Sequence, residues 1–429
     1  MENTTIEKSY PITFRKDNAE KLGLLLKNRR SVVLIGMKRV GISNFLRFFL
    51  FHDDIVKTYI REDSHFFIPV DLNELVEREI FPFWILTLKR IADAVEKSEL
   101  PGKIKKQVEI YFLDSIQTQD HFLTFDYIRK SLNLLTEAGL KTTIFFLRFD
   151  RLKDCATPEF FDNLEGLLDA SNRRLCYVFT SARPLDDLMS TIFKKPELSY
   201  FADNLYIKPA DHEDTKVILD LNKKQRSFSL LKNLEDSLIE LVDGYAQYLQ
   251  FALISLHENK KKIANAGELE QFLLSDERIS LQSEELWESL TESEKEILVK
   301  VINKKKLGQP EKKEADYLIK TGFFDERLKI FSPLFEDFMR SKELERKKEK
   351  QLVELSKKEF LLLKFLEDNL NEICEREQII EAVWPEAEAL GVSDWAIDRL
   401  VARLRSKLKA QNKKVEIVTV KTRGYKLIE

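Results

Sequence analysis

A run of two glycines and a hydroxyl residue near the N-terminus has the spacing of a phosphate-binding loop. The segment GMKRVGIS spans residues 36–43 and joins an apolar run to an amphipathic one. In such a loop, backbone N–H groups surround phosphate oxygens, a lysine neutralises them, and a Ser or Thr hydroxyl holds Mg²⁺. Ile42 stands where that lysine is required. The spacing therefore predicts a degenerate nucleotide site, whose candidate residues are Gly36, Lys38, Gly41, Ser43 and Asn44.

A second apolar run, TIFFLRFD at residues 143–150, could supply the acid that holds Mg²⁺. Asp150 is the candidate, but Arg151 follows where a second acid usually polarises the attacking water. Each hydrogen bond from the missing loop lysine would contribute about 1.5–3 kcal/mol, which Lys38 could replace only in part. We therefore predict a pseudo-ATPase without catalytic residues or a required cofactor. Weak ATP or ADP binding and a purely structural scaffold both stay open.

Positive charge is concentrated at the C-terminus, although the whole chain carries a net charge of −3. From residue 395 to residue 429 there are ten Lys or Arg and three acids, a net charge of +7. Within residues 394–410, apolar residues recur at helical spacing and are expected to face a core, which leaves cations on the outer faces. A helix of this size fits the DNA major groove, and a basic hairpin after it could reach phosphates. The predicted DNA-binding residues are Arg399, Arg403, Arg405, Lys407, Lys421 and Arg423.

The elements that would position these residues follow from hydrophobic periodicity. Short apolar runs alternate with amphipathic stretches in the first two hundred residues, which predicts an α/β parallel-sheet domain with strands at 31–35, 66–71, 143–149 and 175–180. Helical periodicity dominates from residue 208. We predict four domains: a P-loop domain of the ASCE type at 1–207, a helical lid at 208–285, and winged-helix domains at 286–345 and 346–429.

The two winged-helix domains are predicted from similar helix starts. Thr291 precedes Glu294, and Ser356 precedes Glu359, each at the head of an apolar-periodic run. A hydroxyl residue three positions before a glutamate forms a capping box, which satisfies unpaired N–H groups at a helix start. A short hairpin-like stretch follows each unit.

The C-terminal domain resembles the OmpR/PhoB-type winged helix of prokaryotic response regulators. The similarity lies in LSKKEFLLL (355–363), VW (383–384), VSDWAID (392–398), RLRSKL (403–408) and TVKTRGYKL (419–427). It implies that the third helix lies in the major groove and that the hairpin is the wing. Trp395 and Leu400 replace residues that are commonly polar in that family.

The preceding residues resemble a STAND ATPase or an archaeal origin-recognition-like AAA+ ATPase. The similarity rests on the phosphate loop, on CYVFTSARP (176–184), on DGYAQYL (243–249) and on FSPLF (331–335). It implies nucleotide-controlled switching or assembly in the family, together with the helical lid.

Several other classes of function are not indicated by the sequence. Three widely separated cysteines and five scattered histidines form no disulfide framework, no metal site and no catalytic triad. The N-terminus lacks the features of a signal peptide, and no apolar run is long enough for a membrane span. We therefore expect a cytoplasmic protein without membrane association.

Together these features predict a DNA-binding regulator or adaptor for transcription regulation, built on a degenerate P-loop scaffold. Its expected partners are double-stranded DNA and either a protein partner or further copies of the chain. One alternative is an active STAND or AAA+ ATPase switch in signalling, phage defence or DNA loading. The other is a protein-interaction adaptor, because a winged helix does not by itself define function.

Overall fold

The structure, a computed structural model, describes most of the chain. The described residues are 6–62, 64–193, 201–226, 230–258, 263–348, 355–385, 392–410, 415–420 and 423–428. The chain divides into two compact units. The first comprises residues 1–273 and 306–333, and the second comprises residues 274–305 and 334–429.

The first unit is built on a five-stranded parallel sheet with the order β2-β3-β4-β1-β5. Its strands are β1 (Val32–Ile35), β2 (His65–Asp71), β3 (Lys141–Leu147), β4 (Leu175–Ser181) and β5 (Asp203–Tyr206). Every residue of β1 and β4 is buried, as expected for central strands covered by helices on both faces. Because the strands are parallel, their carboxyl ends lie at one edge of the sheet.

In the described part of residues 1–207, the helices that accompany this sheet are α1 (Lys16–Lys27), α2 (Ile42–Phe51), α3 (Ile80–Lys97), α4 (Gly102–Thr118), α5 (His121–Glu137), α6 (Pro158–Ala170) and α7 (Leu185–Leu188). Side-chain caps define two of the helix starts, since Asp120 accepts from the backbone of Leu123 and Thr157 accepts from that of Phe160. The core between helices and sheet is rich in aromatic residues, including the fully buried Phe146.

The middle of the chain is helical. It contains α8 (His212–Arg226), α9 (Lys232–Val242), α10 (Ala246–Glu258), α11 (Ala266–Leu274), α12 (Glu277–Glu288), α13 (Glu292–Ile302), α14 (Gln309–Glu314), α15 (Asp316–Thr321) and α16 (Pro333–Lys348). Helices α14 and α15, with the turn closed by the Phe324–Ile330 bridge, belong to the first unit. Helices α12, α13 and α16 belong to the second.

The second unit ends in a winged helix. Its elements are α17 (Lys357–Asp368), β6 (Cys374–Glu375), α18 (Arg376–Val383), α19 (Asp394–Ala410), β7 (Glu416–Val420) and β8 (Gly424–Ile428). The three strands form an antiparallel sheet with the order β6-β8-β7. Apolar residues of all three helices and of β7 and β8 share one core.

The predicted parallel-sheet fold with a helical region and a C-terminal winged helix is confirmed, but some boundaries were wrong. Strand β3 ends at Leu147, two residues before the predicted end, because Arg148 adopts a left-handed conformation with φ of 59°. The sequence analysis also missed β5 and β6, which have only four and two residues. The winged-helix domain predicted at 286–345 contributes elements to both units, and its boundaries stay a prediction.

Both predicted capping boxes are present. Thr291 and Glu294 bond reciprocally at the start of α13, and Ser356 and Glu359 do so at the start of α17. In the parts of the chain that the structure describes, no helix combines the length and apolar character needed to cross a membrane.

Candidate nucleic-acid interface and phosphate-loop site

Helix α19 buries one apolar face in the winged-helix core. Ile397, Val401 and Leu404 are fully buried, and Leu400 is 1% exposed. The burial of Leu400 explains why an apolar residue stands at this position of the helix. The remaining faces of α19 carry the cations that were predicted to bind DNA.

Two of those cations are bonded within their own domain. Arg405 donates from Nε to the carbonyl oxygen of Ile417 at 2.7 Å and from Nη2 to Oγ1 of Thr419 at 2.8 Å. Lys407 donates from Nζ to Oε2 of Glu359 at 2.7 Å. Arg405 thereby ties α19 to the wing strand β7, and Lys407 ties it to the start of α17.

The Glu359 carboxylate that receives Lys407 is 2% exposed. Burial raises its pKa, but hydrogen bonds from Lys407 and from Ser356 lower it, and the net pKa lies below the ordinary glutamate value. This carboxylate therefore serves both the capping box of α17 and the attachment of α19.

The wing is joined to α19 by a second polar network. The hydroxyl of Tyr425 donates to Asp398, and Arg376 bonds the same carboxylate at 2.7 Å. Burial and the hydrogen bond to Asp398 raise the pKa of Tyr425 to about 12. The network positions β8 against the first turns of α19.

The two other α19 cations face α12 within the second unit. Arg399 donates to Oε1 of Glu288 at 2.9 Å and lies 3.4 Å from Oε1 of Glu284. Arg403 lies 3.2 Å from Oε2 of Glu284. Arg403 also lies 3.9 Å from Oε1 of Glu359, so it contacts both α12 and the start of α17, whereas Arg399 meets α12.

The wing tip is described only in part. Arg423 has a side chain that is 59% exposed, and it lies 3.6 Å from Glu375. The other predicted wing cation, Lys421, lies outside the described residues.

In the first unit, the phosphate loop connects β1 to α2 as predicted. Gly41 has φ of 112°, in the left-handed region that favours glycine, and α2 begins at the next residue. Ala246, the first residue of α10, approaches closely, since a Cβ added to Gly41 would lie 3.2 Å from its Cβ. The hydroxyl of Tyr245 donates to the carbonyl oxygen of Lys38 at 2.6 Å. The start of α10 therefore packs directly on the loop.

A cavity of 680 Å³ opens beside this loop, between α2, α3 and the end of the sheet. The first turn of α2 contains Ile42, Ser43 and Asn44. Of these, Ile42 and Ser43 line the cavity. Its charged lining includes Asp71, Arg148 and Arg90, while Phe67 and Leu147 contribute apolar surface.

Arg148, rather than an acid, directly follows β3 at this cavity. Its side chain forms an ion pair with Asp71 at the end of β2, and its backbone N–H donates to the hydroxyl of Thr180 at 2.7 Å. Asp150 instead lies in a short 3₁₀ turn, where burial raises the pKa of its carboxyl above the ordinary value. Asp150 therefore does not follow the strand directly, and the residue that does, Arg148, carries a guanidinium in place of an acid.

These residues do not fit the Mg²⁺ that a P-loop fold implies. Ser43 could supply a hydroxyl ligand, but the nearby carboxylate of Asp71 is already paired with Arg148. Across the described ranges, no group of three or more His, Cys, Asp or Glu residues is arranged to hold a metal ion.

A buried arginine that the sequence analysis missed also lies at the loop. Arg15 is 6% exposed, its Nη1 donates to the carbonyl oxygen of Lys208 at 2.9 Å, and its backbone N–H donates to Oδ1 of Asp214 at 2.9 Å. Burial lowers the pKa of its guanidinium to about 10. A Cβ on Gly41 would lie 3.7 Å from Nη2 of Arg15. A positive charge therefore borders the loop even though the loop lysine is missing.

Comparison with known proteins assigns the C-terminal region. Residues 349–427 match the family described as "Transcriptional regulatory protein, C terminal". The response regulator ArlR of Staphylococcus epidermidis is 38% identical over 73 residues, which are 17% of this chain and 32% of that protein. The chain thus spans about a third of the length of the curated relatives that it matches.

One of the similar solved structures shows a likeness in fold over most of the chain. The Walker-type ATPase paby2304 of Pyrococcus abyssi is 19% identical with a TM-score of 0.51, over 78% of this chain and 100% of that one. The ORC2 protein of Aeropyrum pernix is 12% identical with a TM-score of 0.48, over 80% and 99%. The C-terminal region of this chain is therefore an OmpR/PhoB-type winged-helix domain, carried on a chain with the fold of a P-loop ATPase.

Proposed function

We propose that this protein is a DNA-binding regulator or adaptor whose C-terminal winged helix binds double-stranded DNA. The observation that carries the proposal is the pair Arg399 and Arg403 on α19. They lie one helical turn apart, outside the apolar core face of α19, whereas Arg405 and Lys407 are held by hydrogen bonds within the domain. Guanidinium groups on such a helix can bond guanine edges or phosphates in the major groove.

The wing adds a second set of contacts in this proposal. Arg423, with its exposed side chain, and Lys421 would contact the DNA backbone beside the groove that α19 enters. Arg405 and Lys407 would act mainly by holding α19 and the wing in position, because both are bonded within the domain.

Direct binding assays with the full chain test the proposal. Fluorescence anisotropy with a labelled duplex of random sequence should show binding that weakens linearly on a log–log plot against salt. The double variant Arg399→Ala/Arg403→Ala should bind more weakly, and its salt slope should fall by about one for each lost phosphate contact. Replacing both wing cations, Lys421→Ala/Arg423→Ala, should have a similar effect on all sequences.

A matched control removes the same charge elsewhere. Lys306 and Arg327 are exposed, and Lys306→Ala/Arg327→Ala should leave affinity and salt slope within error of the unmodified protein. Absence of any DNA affinity at low salt would favour a protein-interaction adaptor. A salt slope that is unchanged in the Arg399/Arg403 variant would remove these residues from the interface.

In this proposal, the P-loop domain acts as a scaffold and not as an ATP-driven motor. Two substitutions support this assignment: Ile42 in place of the loop lysine, and Arg148 at the end of β3. Catalysis of phosphoryl transfer depends on positioned charges, and both changes remove or invert such a charge. ATP turnover above background by the purified protein, with or without DNA, would support the active ATPase alternative instead.

A further inference from the structure

One side of α12 carries a stripe of carboxylates that meets the winged helix within the second unit. Glu277, Glu284 and Glu288 follow one another at intervals of seven and four residues, which places them on one face of the helix. Glu277 lies 2.6 Å from Lys358 on α17. Glu284 and Glu288 meet the arginines of α19 at 2.9–3.4 Å.

The spacing of the acids on α12 matches that of the arginines on α19. Glu284 and Glu288 are one helical turn apart, as are Arg399 and Arg403, and they pair in antiparallel order. Carboxylates separated by four residues are about 6 Å apart along the helix axis. The stripe thereby offers the arginines a regular row of negative charge, as a nucleic-acid backbone would.

Glu284 is the centre of this contact. Its side chain is only 4% exposed, and Lys342 of α16 lies 3.5 Å from the same oxygen that faces Arg399. The side chains of Arg399 and Arg403 are 30% and 31% exposed. The acid is therefore largely removed from water, where its attraction to the two guanidinium groups is screened less than at the surface.

The contact is also incompatible with insertion of α19 along this face. The major groove is about 12 Å wide and admits one α-helix, whose diameter with side chains is about 10–12 Å. Packed helices have axes about 8–10 Å apart, so α12 and α19 together are too wide to enter.

We propose that α12 is an autoinhibitory element that occupies the DNA-binding face of α19 by mimicking phosphate charge. DNA and the Glu284/Glu288 pair compete for Arg399 and Arg403, and DNA binding requires that α12 leave this face. The inference rests on the proposed DNA-binding function.

The test uses the full chain with Glu284→Gln/Glu288→Gln, which removes two charges while nearly preserving shape. Anisotropy with the random-sequence duplex should show affinity about tenfold higher than that of the unmodified protein, because the competing ion pairs are lost. The matched control Glu296→Gln/Glu326→Gln neutralises two exposed acids outside the stripe, and its affinity should change by less than about twofold. Equal affinities of the test and control variants would overturn the proposal.

A second readout does not depend on DNA. Phenylglyoxal modifies accessible arginines, and mass spectrometry gives the rate at each site. Arg399 and Arg403 should react more slowly than the exposed Arg423 in the unmodified protein, and faster in the double variant. Equal rates in the two proteins would show that α12 does not cover these residues and would overturn the proposal.

The two measurements together separate this inference from the proposed function. If neither protein binds DNA but the double variant exposes the arginines, covering by α12 stands and the DNA-binding proposal fails. If the buried Glu284→Gln change prevents folding, the single variant Glu288→Gln, at a side chain that is 28% exposed, should still bind DNA about two- to fivefold more tightly. Unchanged affinity and unchanged modification of Arg399 in that folded variant would also overturn the inference.

Discussion

Removal of the Glu359 carboxylate should weaken the winged helix at two points at once. Glu359→Gln keeps an oxygen that can accept from the backbone N–H of Ser356 but loses the charge that faces Lys407. A charge-assisted hydrogen bond contributes about 1.5–3 kcal/mol, and the lower end applies because Lys407 is 30% exposed and can regain water. Glu359→Ala also removes the reciprocal cap bond, which contributes about 1 kcal/mol. We therefore expect the free energy of local unfolding to fall by about 1.5 kcal/mol in Glu359→Gln and by about 2.5 kcal/mol in Glu359→Ala.

Hydrogen exchange followed by mass spectrometry can measure these losses locally in the full chain. Exchange of the slowest amides in α17 and α19 should accelerate about tenfold in Glu359→Gln, since 1.4 kcal/mol corresponds to a factor of ten. Glu416→Gln, at an exposed acid on β7, is the control and should change exchange little. Unaltered exchange in Glu359→Ala would refute the structural role of this carboxylate.

The same pair gives a pH dependence with a defined sign. The pKa of Glu359 is lower in the folded protein than its ordinary value of about 4.3. The ionised Glu359 carboxylate therefore stabilises the folded protein fully at pH values above its pKa in the unfolded chain. This stabilisation is lost as the pH falls through its pKa in the folded protein. The difference in exchange between the unmodified protein and Glu359→Gln should be constant near neutral pH and shrink below about pH 4.

Three further changes test the first unit. Ile42→Lys should tighten ATP binding, measured by calorimetry, about tenfold without giving ATP turnover. Only the combination of Ile42→Lys with Arg148→Asp should make ATP binding depend on Mg²⁺. ATP turnover in Ile42→Lys alone would contradict the role given to Arg148. Gly41→Ala should lower the free energy of thermal unfolding by about 1–2 kcal/mol because of its left-handed backbone, and an unchanged melting temperature would argue against that geometry. Arg15→Met should cost about 1–3 kcal/mol in urea unfolding because the carbonyl of Lys208 loses its donor, whereas Lys16→Met at the exposed neighbour should cost less than about 0.5 kcal/mol.

Features set by local sequence were predictable. The capping boxes at Thr291 and Ser356 depend on residues three positions apart, and both are present in the structure. The apolar face of α19 follows from a period of 3.6 residues, and Ile397, Leu404 and Leu408 are buried as expected. Short-range spacing was therefore sufficient for the helices of the winged domain.

Features set by distant residues were not predictable. The pair between Arg148 and Asp71 depends on the register of β3 against β2, and 77 positions separate the two residues. The backbone N–H of Arg15 donates to Asp214 across 199 positions, and the Arg399 side chain meets Glu284 across 115. A single sequence shows the charges of such residues but gives no spacing rule that would bring them together.

The two proposals together constrain how α19 could be released. If the P-loop domain is a scaffold, as proposed from Ile42 in the loop and Arg148 after β3, ATP hydrolysis does not supply the free energy that separates α12 from α19. A ligand shifts such an equilibrium only by the difference between its affinities for the two states. To shift the exposed state of α19 from 1% to 99% would require a difference of about 5.5 kcal/mol between those two affinities. Under that proposal, release comes from binding itself, by DNA that engages Arg399 and Arg403 or by a partner that engages the acidic stripe of α12. Glu284→Gln/Glu288→Gln should then reduce the dependence of DNA binding on such a partner.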